Sequence, residues 1–173
     1  IGRVVPQKNV LRYIDAIKMA IDNGCDISVK WIGNQSLSEY FEECTRKVKE
    51  YGIECRFEFI SPKTDIIYEY QQAGAFCLPS VYEGYPNVLC EAMSCGLPVA
   101  CGNICDNATI VKDGVNGVLF NPHDCQDISN GIERLYTLCK TKYLEISRNN
   151  RDSIVMNNSP IAFVKKYENL IHW

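Results

Sequence analysis

Two carboxylates, Glu83 and Glu91, stand eight positions apart on either side of Gly84-Tyr85-Pro86-Asn87-Val88-Leu89, a Gly/Pro-bearing loop that gives way to a helix. The apolar run Ala75-Phe76-Cys77-Leu78 ahead of them reads as a short buried strand. A strand, a tight loop and a helix N-terminus in that order form a common seat for an anionic ligand. Free backbone N–H groups and the helix dipole converge there. Asn87 is the candidate N-cap, and Gly96 followed by Pro98 is the candidate stop. That placement leaves the amides of Val88 and Leu89 in the first turn for a phosphate. Glu91 then lies about one turn inside the helix, where an ionised acid, being acceptor-only, suits a pair of sugar hydroxyls. Gly84, without a side chain, lets backbone approach a ligand closely. A ligand carrying both phosphate and hydroxyl groups, such as a nucleotide sugar, fits both halves of the pattern.

Arg3 and Lys8 form a second constellation. Arginine presents a planar fork to phosphate oxygens and lysine a compact point charge. Asn9 could cap the helix that follows, so both cations would precede a helix N-terminus. Taken singly, each of these residues has a plainer reading: an acid favouring a helix dipole, a loop acid or base in solvent. The set in register is what carries chemistry.

These side chains need a frame, and the hydrophobic pattern supplies one. Val10, Ile14, Ile17 and Ile21 recur at helical spacing, with Gly24 as the stop. Ile27, Val29 and Trp31 alternate as a strand ending at Gly33. Leu37, Tyr40, Phe41, Cys44, Val48 and Tyr51 form the next helical stripe, closed by Gly52. Strands are expected at 56–60, 75–78, 98–101 and 117–120, with a short helix around Ile66, Ile67 and Tyr70 and another over 88–95. Asp124 or Asp127 opens a helix carrying Ile128, Ile132 and Leu135, and the tail over 159–171 reads as one more. Strands alternating with helices imply an α/β domain, a Rossmann-like three-layer fold with one parallel sheet covered on both faces. Ligands of such sheets bind beyond the carboxyl ends of the strands.

A chain of 173 residues, 46% hydrophobic, is large enough for a single domain with its own core. A formal net charge of -3 gives no reason to expect a nucleic-acid partner. No apolar run is long enough to span a bilayer, and the N-terminus does not read as a signal peptide. Of the 10 cysteines, Cys77, Cys90, Cys95 and Cys101 sit in or beside apolar runs, as small hydrophobes do. Cys101 and Cys105 are close, but no pair of C-x-x-C knuckles appears, and His123 and His172 lack ligand spacing, so no metal site is expected. Structural thiols suit a reducing cytoplasm.

The segment from Glu83 to Glu91 resembles the E-x(7)-E signature of retaining glycosyltransferases of the large family 4, or group 1, type. The opening Ile1-Gly2-Arg3-Val4-Val5-Pro6-Gln7-Lys8-Asn9 is similar to that family's Gly-Arg…Lys motif. Trp31-Ile32-Gly33, Leu78-Pro79-Ser80, Ala92-Met93-Ser94-Cys95-Gly96-Leu97-Pro98-Val99 and Asp113-Gly114-Val115-Asn116-Gly117 stand in the family's order. The resemblance runs from residue 1 to about 120 and is to the C-terminal, donor-binding half of a two-domain enzyme of the B-type glycosyltransferase fold. It implies that residues 1–173 are one donor-binding domain, a fragment without its N-terminal acceptor domain.

By the same resemblance, Glu91 holds the donor ribose, Glu83 lies near the donor sugar, and Arg3 and Lys8 meet the diphosphate. Gly84 to Leu89 and Gly33 belong to the donor site, and the loops after Trp31-Ile32-Gly33 and after Ile60 flank the base. The implied donor is a UDP- or GDP-linked sugar, with no metal and no cofactor. The implied reaction transfers the sugar to an acceptor hydroxyl with retention, the acceptor sugar or lipid-linked sugar coming from the absent half. The full-length protein is then cytoplasmic, with peripheral association at the inner face of the membrane. Two departures from the family stand out: Ser61-Pro62 where Gly is common after the second strand, and Thr109-Ile110-Val111 where Glu-Ile-Val is common. The alternative is a non-catalytic nucleotide-sugar-binding or scaffolding module, against which the full set Arg3, Lys8, Glu83 and Glu91 argues. A sugar phosphorylase or epimerase of the same fold is the third option; a phosphorylase would bring a pyridoxal-phosphate lysine and long insertions, for which no signature is present.

Overall fold

Helical and period-two patterns alternate along the chain, and the elements follow them. The computed structural model describes residues 1–35, 38–158, 161–162, 164–165 and 168. A single 3-10 turn, Pro6–Lys8, leads into α1 (Val10–Asp22), followed by β1 (Val29–Ile32), α2 (Glu39–Glu50), β2 (Phe57–Ile60) and α3 (Ile66–Gln72). Then come β3 (Phe76–Leu78), α4 (Asn87–Ser94), β4 (Val99–Gly102), α5 (Asn107–Ile110), β5 (Gly117–Phe120), α6 (Cys125–Thr141) and α7 (Tyr143–Asn158).

Every strand pairing is parallel, with Val29 opposite Phe57, Phe76 opposite Val99, and Val99 opposite Gly117. The strands form two hydrogen-bonded groups, β1-β2 and β3-β4-β5, rather than the single sheet the alternation implied. β1 and β3 do not pair with each other. Three layers arise because side chains alternate across each strand. Ala100, Val118 and Phe120 enter a core shared with α1, α2 and α6, while Val99 and Cys101 enter a second core with α3, α4 and α7. All four residues of β4 are buried, as befits a strand covered on both faces. In the first core the Tyr13 ring lies 6.0 Å from Trp31 and 6.1 Å from Phe57, tying α1 to β1 and β2.

Capping chemistry sets several boundaries. Ser38 accepts from the Phe41 amide to start α2, and Asp124, of the two acids considered, accepts from the amides of Gln126 and Asp127 to start α6. α4 stops in a Schellman motif: Leu97 N–H donates to Ala92 O and Gly96 N–H to Met93 O, with Gly96 at φ 80°.

Three elements depart from the sequence expectation. α5 and the turn at Pro6–Lys8 carry too few residues to show a period. α7 occupies a stretch where no helix is expected, because its buried face is only Ile146, Asn150 and Ile154 amid polar residues. Asn150 compensates by donating to Leu97 O at 2.8 Å. Of the expected tail helix over 159–171, the described residues 161, 162, 164, 165 and 168 are helical, and the rest lies outside the described residues, as does Leu37 of the second stripe.

Candidate functional site

The carboxyl ends of the parallel strands gather the loops that carry the chemistry. Two hydrogen bonds, one from backbone and one from a side chain, fix their order. Val81 N–H donates to Gln7 O at 3.0 Å, and Gln7 Nε2 returns a bond to Tyr82 O at 2.9 Å. The loop after β3 therefore lies against the turn that bears Lys8. Asn9 then locks both to a third loop: its Nδ2 donates to Pro79 O (3.0 Å) and Pro122 O (2.7 Å), and its Oδ1 accepts from Arg12 Nη1 (2.9 Å). Asn9 does occupy the N-cap position of α1, but its side chain caps nothing there; it sits in the left-handed region at φ 59° and is spent on tertiary bonds. Asparagine tolerates that backbone conformation better than most side chains.

This arrangement brings Lys8 Nζ to 2.6 Å from Glu83 Oε1, with the two side chains only 16% and 10% exposed. The Lys8 stem lies over Gly2, where an added Cβ would sit 3.2 Å from Lys8 Cε. Arg3 is exposed beside this pair and forms no ion pair among the described residues. Gly33 sits against the same segment: a Cβ there would lie 2.1 Å from Gly2 O, so only glycine lets the Gly2-Arg3 backbone pass the end of β1. The contact the structure gives Gly33 is thus one of positioning the Gly2-Arg3 segment.

α4 supplies the second half of the site. Pro86 stands at its N-cap and Asn87 is its first residue, which corrects the expectation that Asn87 caps the helix. Proline cannot donate but its carbonyl can accept, and the first turn closes on it: Leu89 N–H donates to Pro86 O at 2.9 Å, and Cys90 N–H approaches the same oxygen at 3.3 Å. The Leu89 amide is therefore occupied, not available to a phosphate as expected. Asn87 N–H donates to Tyr85 O, leaving Val88 N–H as the first-turn amide with no protein acceptor among the described residues. Gly84 is exposed with open space around it, and Tyr85 is half exposed, its hydroxyl bonded by Asn158 Nδ2 and Cys90 Sγ.

Glu91 projects from α4 to solvent and is braced from below by Tyr70. The Tyr70 hydroxyl lies 3.0 Å from Glu91 Oε2 and 3.2 Å from Val88 O, and its one proton can serve only one of them at a time. Burial, together with the adjacent carboxylate, pushes this hydroxyl far above its ordinary range, so it stays a donor. Tyr70 is a contact of a candidate site residue that sequence reasoning missed: it registers only as an apolar position in a short helix, and its partner lies 21 residues away. The structure thus brings Lys8, Glu83 and Gly33 around the Gly2-Arg3 segment, and Val88 and Glu91 together on α4. The Thr109 hydroxyl donates to Asp106 O at 2.7 Å.

No group of three or more His, Cys, Asp or Glu capable of holding a metal occurs among the described residues. No helix among them is long and apolar enough to cross a membrane. The 10 cysteines are all free, and burial pushes the Cys77 and Cys44 thiols up to about 12, which keeps them protonated.

Residues 1–153 match the family model described as glycosyl transferases group 1. The UDP-Gal:alpha-D-GlcNAc-diphosphoundecaprenol alpha-1,3-galactosyltransferase of Escherichia coli is 31% identical over 176 residues, covering 98% of this chain and 43% of that protein. The chain is also similar in structure to Anabaena HepE solved in complex with UDP, with a TM-score of 0.85 at 22% identity over 98% of this chain and 47% of that one. The C-terminal domain of the group 1 glycosyl transferase LpcC from Francisella tularensis superposes with a TM-score of 0.82 at 24% identity, covering 92% of this chain and 84% of that one. The chain spans under half the length of the curated galactosyltransferase it matches.

Proposed function

The chain belongs to the group 1 glycosyl transferases, and from that premise we propose that it is the donor-binding half of a retaining enzyme that moves a sugar from a nucleotide diphosphate to an acceptor hydroxyl. The observation that carries this reading is the convergence of Lys8, Glu83 and the first turn of α4, with its braced Glu91, at the carboxyl ends of parallel strands.

In this reading Glu91 accepts hydrogen bonds from the two ribose hydroxyls while the Tyr70 hydroxyl fixes its rotamer. The diphosphate lies between Arg3, Lys8 and the amide of Val88, where fixed cations and a helix N-terminus stabilise the charge that builds on the leaving group. Glu83 faces the sugar and holds the Lys8 ammonium until the diphosphate displaces it. As the glycosidic bond to phosphate breaks, Arg3 and Lys8 take up the developing negative charge, and no metal ion is required. The acceptor comes from the second half of the full-length protein, so this domain alone binds donor but does not turn it over.

A UDP-linked donor is favoured, because the Escherichia coli relative is named for UDP-Gal and HepE was solved with UDP. That relative acts on a diphosphoundecaprenol-linked sugar, which supports a lipid-linked acceptor and a full-length protein held peripherally at the cytoplasmic face of a membrane.

Calorimetric titration with UDP, GDP and ADP tests the reading. Selective binding of UDP, weakened at least about tenfold by Glu91→Ala, is expected from loss of charge-assisted bonds to the ribose. Equal binding of all three nucleotides, or no effect of the substitution, would overturn it.

A further inference from the structure

Asn9 follows Lys8, and the helix it precedes gains nothing from its side chain. α1 begins at Val10 without a side-chain cap, although Asn9 holds the N-cap position. The residue is only 6% exposed, and its amide is spent elsewhere. Both amide protons go to carbonyls just after strands: Pro79 O, after β3, at 3.0 Å, and Pro122 O, after β5, at 2.7 Å. Oδ1 accepts from Arg12 Nη1 at 2.9 Å. Two carbonyl acceptors at one end of the amide and a guanidinium at the other fix which end carries the nitrogen.

The backbone narrows the choice of residue further. Asn9 lies at φ 59° and ψ 35°, in the left-handed region that glycine, asparagine and aspartate tolerate best. Glycine meets that demand but brings no donor, and an ionised aspartate would turn oxygens toward two carbonyls. Of the three, asparagine alone supplies both the turn and the two protons. Its neighbour depends on this. Residues 7 and 9 are both fastened to the loop after β3: Gln7 O accepts from Val81 N–H, Gln7 Nε2 donates to Tyr82 O, and Asn9 Nδ2 holds Pro79 O. Lys8 is the residue between them, and the fastened loop runs on through Glu83 to Pro86 and the first turn of α4. The loops after β3 and β5 meet at the end of β4, where a Cβ on Gly102 would come 3.0 Å from Ser80 O and 3.2 Å from Pro122 Cβ.

We propose that Asn9 is a positioning residue for donor binding, which fixes the Lys8 turn against the loop entering α4 so that the Lys8 ammonium and the Val88 amide keep one spacing. This role rests on the donor reading above. The ion pair with Glu83 does not need the clamp, because the long lysine side chain can follow its partner through small shifts of the turn. A diphosphate does need it. Its other contacts lie on α4 and do not move with the turn, so a loose turn adds an ordering cost to every binding event. Arg12 holds the clamp itself in place, its Nη1 bonding both Asn9 Oδ1 and, at 3.3 Å, Pro122 O.

The test is a double-mutant cycle read by UDP calorimetry, with a melting temperature recorded for every variant. Asn9→Gly keeps the left-handed turn and removes the clamp, while Asn9→Asp keeps the volume and removes the protons. Each should weaken UDP about tenfold. Lys8→Met should weaken it as well, and in that background either Asn9 substitution should change UDP affinity by less than about twofold, since the clamp acts through Lys8. A lower melting temperature with unchanged UDP affinity in both Asn9 variants would overturn the proposal. So would equal losses of affinity with and without Lys8. Either result leaves the donor reading standing. UDP binding untouched by Lys8→Met would instead remove the diphosphate role of Lys8, and the positioning role of Asn9 with it.

Discussion

Lys8 and Glu83 neutralise each other across 2.6 Å, so in the proposed function a diphosphate competes with a carboxylate for the Lys8 ammonium. This gives Glu83→Gln two effects of opposite sign. Freed from its partner, Lys8 should bind UDP more tightly, by on the order of 1 kcal/mol or roughly fivefold for a pair this shielded. Turnover by the full-length enzyme should fall by about 100-fold, since the charge beside the sugar is gone. Calorimetry and initial rates read the two effects separately; a loss of both, or of neither, would contradict the assigned roles. Tyr70→Phe isolates a different contribution. It removes one hydrogen bond to a charged acceptor and should weaken UDP by about 1.5 kcal/mol, roughly tenfold. Glu91 is solvated on its other side, so melting should shift little. A large drop in melting temperature with unchanged affinity would make Tyr70 a core residue and nothing more.

At the scale of elements, the site depends on close approach. Gly33→Ala drives a methyl into Gly2 O, only 2.1 Å from the ideal Cβ, and must displace either the end of β1 or the Gly2-Arg3 segment. The expected cost is about 2 kcal/mol, with UDP affinity falling because Arg3 and Lys8 move together. A denaturation midpoint and a UDP titration on the same variant check both; an unstable variant that binds UDP as well as before would separate the packing role from the site. This coupling shows what the sequence makes legible. Gly33, Glu83 and Glu91 declare themselves through spacing and through the motifs around them, and the β–α alternation follows from apolar periods. Tyr70 and Asn9 do not: their partners, Glu91 and the carbonyls of Pro79 and Pro122, lie far away in sequence, and nothing local marks the bond. Asn87 differs for a local reason, since an Asn after Pro reads as a cap, yet the Pro86 carbonyl closes the first turn and moves the cap back one residue. α7 was hidden because a helix held by Ile146, Asn150 and Ile154 buries one polar residue for every two apolar ones.

Over the whole molecule, the thiols make stability a function of alkaline pH. They are spread through both cores: Cys44 of α2 belongs to the first core and Cys77 packs against it, while Cys101 belongs to the second. Burial pushes Cys44 and Cys77 up to about 12 and Cys139 to about 11, and lifts Cys101 further still. In the unfolded chain a thiol titrates near about 8.5. Below that pH both states hold their protons and these groups leave stability unchanged. Between about pH 9 and pH 12 the unfolded chain releases protons that the folded one retains, so the unfolded state binds fewer protons and stability must fall as pH rises. The urea midpoint, measured under reducing conditions, should therefore decline steadily from pH 8 to pH 10.5. Cys77→Ala separates packing from ionisation, because the cavity it leaves costs stability at every pH while removal of the thiol makes the alkaline decline shallower. A midpoint that stays level to pH 10.5, or a variant whose curve runs parallel to that of the parent, would mean that the buried thiols do not set this dependence.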